Sequence, residues 1–331
     1  MKQSTPPWSR AQVGAALLMA MLTVTLVATF AASAMWQQWR AVEVETAERG
    51  QVQSAWILIG ALDWSRLILS EDGRAGGPDH LAEPWAVPLE EARLSTFLAA
   101  EGNVSQVDDA STDTTDAFLS GQITDMQGRL NITNLAVAGQ VQKDVQAQFA
   151  RLFERLNLPA QELGMLVAAV SQAQVSTSSD SSSASLMPPT ISQLGWLGLS
   201  PTTVSTLSPH VTILPAATLV NLNTADTDVL LAVIEGLDVA SAQKIIQARE
   251  TRHFRNLKDV RDILGEPNGV TESAHSVASY YFEVRGRLRL GDAIVDERSL
   301  VHRRGREVTT IWRERGAFDR ETTQSVFQTQ R

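Results

Sequence analysis

The sequence contains no cysteine in its 331 residues. Disulfides, thiolate zinc sites and cysteine nucleophiles are therefore excluded. An oxidising compartment is not excluded, because a thiol-free chain is stable on either side of a membrane. Positive charge is also scarce, with a formal net charge of -9. That argues against nucleic acid as the main partner, since phosphate binding needs net positive faces. The usual catalytic signatures are missing too. The five histidines, His80, His210, His253, His275 and His302, form no i,i+4 pair. There is no HExxH, no Gly-x-Ser-x-Gly and no P-loop. Each lone histidine reads as a core or surface residue, and no constellation argues for an enzyme.

Apolar material is ample, at 44% hydrophobic against 20% charged residues, enough for a real core. Its most concentrated stretch is Ala15 to Met35, 21 residues without a charge. At about 1.5 Å per helical residue it spans roughly 30 Å, one hydrocarbon core. Lys2 and Arg10 precede it, which by the positive-inside rule keeps the N-terminus cytoplasmic and everything after Met35 outside. Trp36, Trp39 and Arg40 follow as an interfacial anchor would. Three readings of this start remain open. One is a plain signal-anchor. Another is a secretory signal cleaved after the small-x-small triplet Ala32-Ser33-Ala34, against which the length of the apolar run counts. The third is a prepilin-type leader ending at Gly14, with the apolar run beginning at Ala15.

Helical spacing continues beyond the membrane run through Val52, Ala55, Trp56, Ile59 and Leu62 without a proline. The spacing predicts one long helix to about Ser70, whose face Val52, Ala55, Trp56 and Ile59 packs on the domain C-terminal to it. Glu71 to Asp79 is a turn or loop by its glycines and proline. Residues 101–116 are polar and acidic. Asp108, Asp109, Asp113 and Asp116 are weak candidates for a calcium site, but EF-hand spacing is lacking and a solvated loop is the favoured reading. Leu119 to Thr124 and Arg129 to Leu135 alternate on either side of Asp-Met-Gln-Gly and predict a short hairpin. Gln140 to Val175 is helical, broken at Pro159, with Val145, Phe149, Leu152, Phe153 and Leu156 inside. Ser176 to Ser185 is low-complexity.

Three short helices are legible between Val220 and Gly265. Asn223 or Thr224 caps the first, with Val229, Leu230, Val233 and Ile234 as its buried stripe and Gly236 ending it. Ala242, Ile245 and Ile246 lie inside the second. Asn256 caps the third, with Val260, Ile263 and Leu264 inside. The pattern is similar to the helix-hairpin-helix module. DNA-binding versions use a Gly-hydrophobic-Gly hairpin to hold phosphate on backbone amides. Here the second glycine is Asp238 and Glu235 flanks the turn, so a packing module is expected instead. Finally, Tyr280 to Leu290, Ala293 to Arg303 and Glu307 to Arg313 alternate strictly and predict an antiparallel meander with one wet face. Its arginines are interleaved with acids rather than aromatic platforms, which fits a solvated face or an interface with an acidic partner.

Taken in order, these parts resemble the type II secretion system minor pseudopilin K family. The resemblance is carried by the leader ending at Gly14, the apolar helix, GQITDMQGRLNITNL, VNLNTADTDVLLAVIEGLDVASAQKIIQARE, FRNLKDVRDILG and the YYFEVRGRLRL strands. It covers Arg10 to about Gly316. It implies an α+β fold, a pilin-like long helix on an antiparallel sheet with a large α-helical insertion. The implied parts are leader 1–14, transmembrane helix 15–35, its periplasmic continuation 36–70, first strands 71–135, inserted helical domain 136–279, final strands 280–315 and tail 316–331. It also implies cleavage after Gly14 by the prepilin peptidase, N-methylation of Ala15, and a place at the tip of the pseudopilus. The implied partners are the minor pseudopilins I, J and H and the major pseudopilin G in the inner membrane, with no nucleic acid. Pilin-like subunits carry Glu at mature position five, where its partner is a neighbour's N-terminal amine. This chain has Met19 there, which fits a subunit with nothing stacked above it. No cofactor is implied, apart from calcium, which the family is reported to bind and which maps to no residues here. The rivals are a membrane-anchored DNA-binding protein, a secreted hydrolase and a minor type IV pilin.

Overall fold

The computed structural model describes residues 12–96, 117–176, 187–265, 269–291 and 293–316. Asp108, Asp109, Asp113, Asp116 and the Ser-rich stretch from 177 lie outside these. The chain divides into two compact units, residues 1–57 and 58–331. The first unit is the start of helix α1, Gln12–Ala75, and its large apolar side chains from Leu17 to Trp39 are exposed.

The second unit is built around a five-stranded antiparallel sheet. Its strands are β1 (Leu89–Arg93), β2 (Ala117–Asp125), β3 (Tyr281–Leu290), β4 (Ala293–Arg304) and β5 (Glu307–Gly316). Spatial order equals chain order, so the sheet is one meander. The expected final three strands are present. A one-residue step along a strand changes its face, and the pattern here assigns Phe282, Val284, Val301 and Val308 to one side. There they form a core with Leu62 and Leu69 of α1 and with Trp85. Each such side chain contributes roughly 1.5–3 kcal/mol on burial.

Within α1 the buried stripe is Ser54, Leu58, Leu62, Ser65 and Leu69, at 4-4-3-4 spacing. The expected packing face is therefore displaced. Val52 and Trp56 remain 58% and 69% exposed, and Ala55 and Ile59 are half-buried. Both stripes have helical period, and the sheet selects the later one. The helix also outruns the expected loop, since Glu71 to Ala75 are still helical and the turn is made by Gly76 and Gly77 at positive φ. Arg66 donates to the Val308 carbonyl (2.7 Å) and Ser70 to that of Arg306 (2.7 Å). The β4–β5 turn crosses so closely that a Cβ on Gly73 would lie 2.0 Å from the Gly305 oxygen. Glycine is required there.

The predicted hairpin across Leu119 to Leu135 does not form. β2 pairs with β1 on one side and β3 on the other. Asp125 accepts from the Gln127 N–H and turns Met126–Gly128 into a 3-10 step out of the sheet. Leu130–Asn131 then pairs in parallel with Val211–Thr212. The sheet is thus left at Asp125, not near Leu135, and rejoined at Tyr281.

Between those points lies the helical part: α2 (Lys143–Arg155), α3 (Ala160–Ser176), α4 (Pro201–Leu207), α5 (Thr227–Val233), α6 (Val239–Thr251) and α7 (Leu257–Leu264). Phe149, Leu152, Phe153, Leu166, Val229, Leu230, Ile245 and Val260 share one apolar cluster. Ile263, expected inside, is exposed. Helix α5 is capped by Asp226, whose side chain accepts from Val229 N, not by Asn223 or Thr224. Asn223 is buried and instead bonds both polar backbone groups of Phe254. Asp238, standing where a phosphate-binding hairpin has glycine, caps α6 through Ser241 N. Its carboxylate is held below the usual range first by that backbone N–H.

Candidate functional site

Two regions of the second unit concentrate polar side chains. The first is the junction where the insertion leaves and rejoins the sheet. Asp125, at the end of β2, is buried, and one of its oxygens accepts from the hydroxyls of Ser279 and Thr224 (2.6 Å each) and from Asn221 Nδ2 (3.0 Å). Asn221 also donates to the Asp79 carbonyl (3.1 Å), and Asp79 Oδ2 accepts from Ser279 N (2.6 Å). Arg303 of β4 closes the set by pairing with Asp72 and Asp79, donating to the Ser279 carbonyl (2.9 Å) and lying over Phe282. Stacked His80 and His253 rings, 3.7 Å apart, tie the loop after α1 to the insertion. Asp79 is pushed up to about 6 because lost hydration outweighs the Arg303 guanidinium. Glu83 is pushed up to about 7, again mainly by burial. Asp125 is raised by burial despite its hydrogen bonds. These side chains join α1, the loop after it, β2, β4 and the insertion into one bonded unit. They are fully engaged with one another, which is the arrangement of a rivet and not of a reactive site.

The second region is a cleft of about 790 Å³ between the sheet's outer face and the segment from Pro189 to Ile213. This is the face expected to be wet. In fact Tyr281 and Leu300 pack there with Met126 and with Leu214 of the insertion. Of nine charged side chains lining the cleft, eight are paired: Arg285–Glu283 (2.5 Å), Arg287–Asp296, Arg298–Glu314 and Arg315–Glu297 (2.6 Å each). The ninth is Arg129. It is half-buried and forms no salt bridge among the described residues. Loss of hydration holds its guanidinium below the usual value, while Glu283 raises it. A partly desolvated cation without a counter-ion costs several kcal/mol.

Two groups of described residues could hold a metal: Asp72, Asp79 and Glu83, and His210, Asp226 and Asp228. Neither suits calcium. Arg303 already places a cation between Asp72 and Asp79. The other group contains an imidazole, a poor ligand for a hard ion, and Asp228 is taken by Arg155.

Of the residues singled out from sequence, Gly14 and Ala15 lie within α1, with Ala15 exposed. Met19 is exposed four residues on, in the apolar run. None of these positions, nor the stretch from Val52 to Ile59, lines the cleft described above. Arg129, Arg303, Asp79, Asp125 and Ser279 carried no signal in the sequence, because neither periodicity nor spacing tells which charge is matched across the fold.

The inserted helical region carries the likeness to known proteins. Two family profiles described as Type II secretion system (T2SS), protein K match residues 128–216 and 220–278, which together span the insertion. Over this region the chain is similar to the type II secretion system protein K family. It is 27% identical over 308 residues to "Type II secretion system protein K" of Pseudomonas aeruginosa, covering 86% of each chain. Its fold matches a chain of the crystal structure titled as the GspK-GspI-GspJ complex from enterotoxigenic Escherichia coli. The TM-score is 0.59 at 17% identity, over 82% of this chain and 99% of that one. The fold, an antiparallel sheet interrupted by a helical domain, is thus shared with that solved chain over most of the length.

Proposed function

We propose that this chain is a minor pseudopilin of the type II secretion system, seated at the tip of the pseudopilus and priming its assembly. The observation that carries the reading is the insertion. A helical domain matching protein K is spliced between β2 and β3 of a pilin-like sheet, while the N-terminal helix presents an unbroken exposed apolar run. A membrane covers such a run at no desolvation cost. Its orientation, N-terminus cytoplasmic and bulk periplasmic, rests on Lys2 and Arg10.

The mechanism is one of assembly. Removal of residues 1–14 frees the amine of Ala15. Other subunits of the filament would neutralise such an amine with a glutamate at mature position five. With Met19 there, this subunit has no such carboxylate to offer and so no need of a subunit above it. The inserted domain adds bulk on the same argument. The partners on this reading are the minor pseudopilins I and J, with H and the major pseudopilin G below. The helix surface Val52, Ala55, Trp56 and Ile59 is the contact toward them. No step in this role is catalytic.

Intact-mass and N-terminal analysis of the protein purified from membranes tests the reading. A methylated N-terminus at Ala15 is expected. A start at Met35 would mean ordinary secretion, and an intact Met1 a plain anchor; either sinks the pseudopilin reading.

A further inference from the structure

The cleft between the sheet's outer face and residues 189–213 is lined by charges matched one to one, with Arg129 left over. We propose that this cleft docks an extended acidic segment of a partner protein, with one partner carboxylate seated on Arg129.

The charge pattern selects the sign of the ligand. Glu283, the carboxylate acting most strongly on Arg129, is already held by Arg285 at 2.5 Å, so no free counter-ion for Arg129 is found among the described residues. An unmatched guanidinium that has lost part of its hydration favours an incoming oxyanion, and its planar fork fits a carboxylate in a bidentate manner. The size of the cleft selects a peptide over a small anion. About 790 Å³ is far more than one ion fills, and Met126, Val204, Leu300 and Trp312 offer apolar wall that only a larger ligand would cover. The chain's own residues 317–331 follow directly from Gly316 at the rim, but they balance Asp319 and Glu321 with Arg320 and Arg331. Their side chains carry no excess of negative charge, unlike the acidic segment proposed here, and truncation at Gly316 separates the two occupants. The inference does not depend on which secretion machine the chain serves.

The test uses the full chain in an uncharged detergent and a fluorescein-labelled peptide alternating leucine and glutamate, against its glutamine counterpart. The glutamate peptide should bind about tenfold tighter. Arg129→Gln should abolish that preference and Arg129→Lys should keep most of it. Arg289→Gln combined with Glu91→Gln removes a matched pair on the same sheet outside the cleft, and should change binding less than about twofold. The melting temperature of Arg129→Gln should equal or exceed that of the parent, because an unmatched charge has gone, so lost binding cannot be lost folding. The proposal is overturned if both peptides bind alike or if Arg129→Gln keeps the preference. Displacement by equimolar inorganic phosphate, which would mean a small-anion site, also overturns it. So does a preference that appears only after truncation at Gly316, which would make the tail the occupant.

Discussion

Replacing Arg303 by methionine gives a worked test of the junction. The substitution keeps an apolar stem over Phe282 and removes the guanidinium that pairs with Asp72 and Asp79 and donates to the Ser279 carbonyl. Asp79 already sits at about 6 against an ordinary 3.8, so its ionised form costs about 3 kcal/mol near neutrality. Without Arg303 its folded value climbs further, and at about pH 7.5 the carboxyl takes up a proton instead of remaining charged. That caps its cost at about 5 kcal/mol, an added loss of about 2 kcal/mol. The orphaned Ser279 carbonyl and the lost pairing of Asp72 add roughly 2 kcal/mol more. The expected total is about 4 kcal/mol, or roughly 10 °C in melting temperature for a unit of this size. The penalty should also depend on pH. A carboxyl whose folded value lies above its unfolded value stabilises the fold as pH falls through that window. At about pH 5 Asp79 is largely protonated with or without Arg303, so the penalty should shrink by about 2 kcal/mol. Urea titration of the full chain in micelles at the two pH values measures both effects. A loss under about 1 kcal/mol at neutral pH, or a loss independent of pH, would refute the claim that Asp79 is a buried charge compensated by Arg303.

Two further outcomes rest on burial. Trp56→Ala with Val52→Ala should change the melting midpoint by less than about 2 °C, because both side chains are exposed, while reducing co-purification with minor pseudopilins I and J; unchanged co-purification removes this face from the interface. Phe149→Ala empties a fully buried site in the insertion core and should cost about 3–5 kcal/mol in chemical denaturation, a small effect meaning the core is not continuous there.

What could be read from the sequence was local, and what could not was a choice of partner. The apolar run, the long helix, the helices around Phe149 and Ile245 and the final meander each arise from periodicity and capping within one segment. The hairpin across residues 119–135 failed for the opposite reason. Both its flanks alternate and a turn signal joins them, yet β2 finds its neighbour at Tyr281–Leu290, across the whole insertion, and β1 at Leu89–Arg93 shows no alternation at all. The helix face was misplaced by the same kind of degeneracy. Stripes at 52–59 and 54–69 are equally periodic, and only the position of the sheet decides between them. That displacement has a consequence for assembly. Val52 and Trp56 are exposed, and a large apolar surface left exposed is one that a partner can bury. The matched charges of the sheet argue likewise. The arginine-rich run in sequence fitted either a solvated face or an interface with an acidic partner; among the described residues the fold pairs every arginine lining the cleft except Arg129, where a partner's acid would gain a charge pair without breaking an existing one.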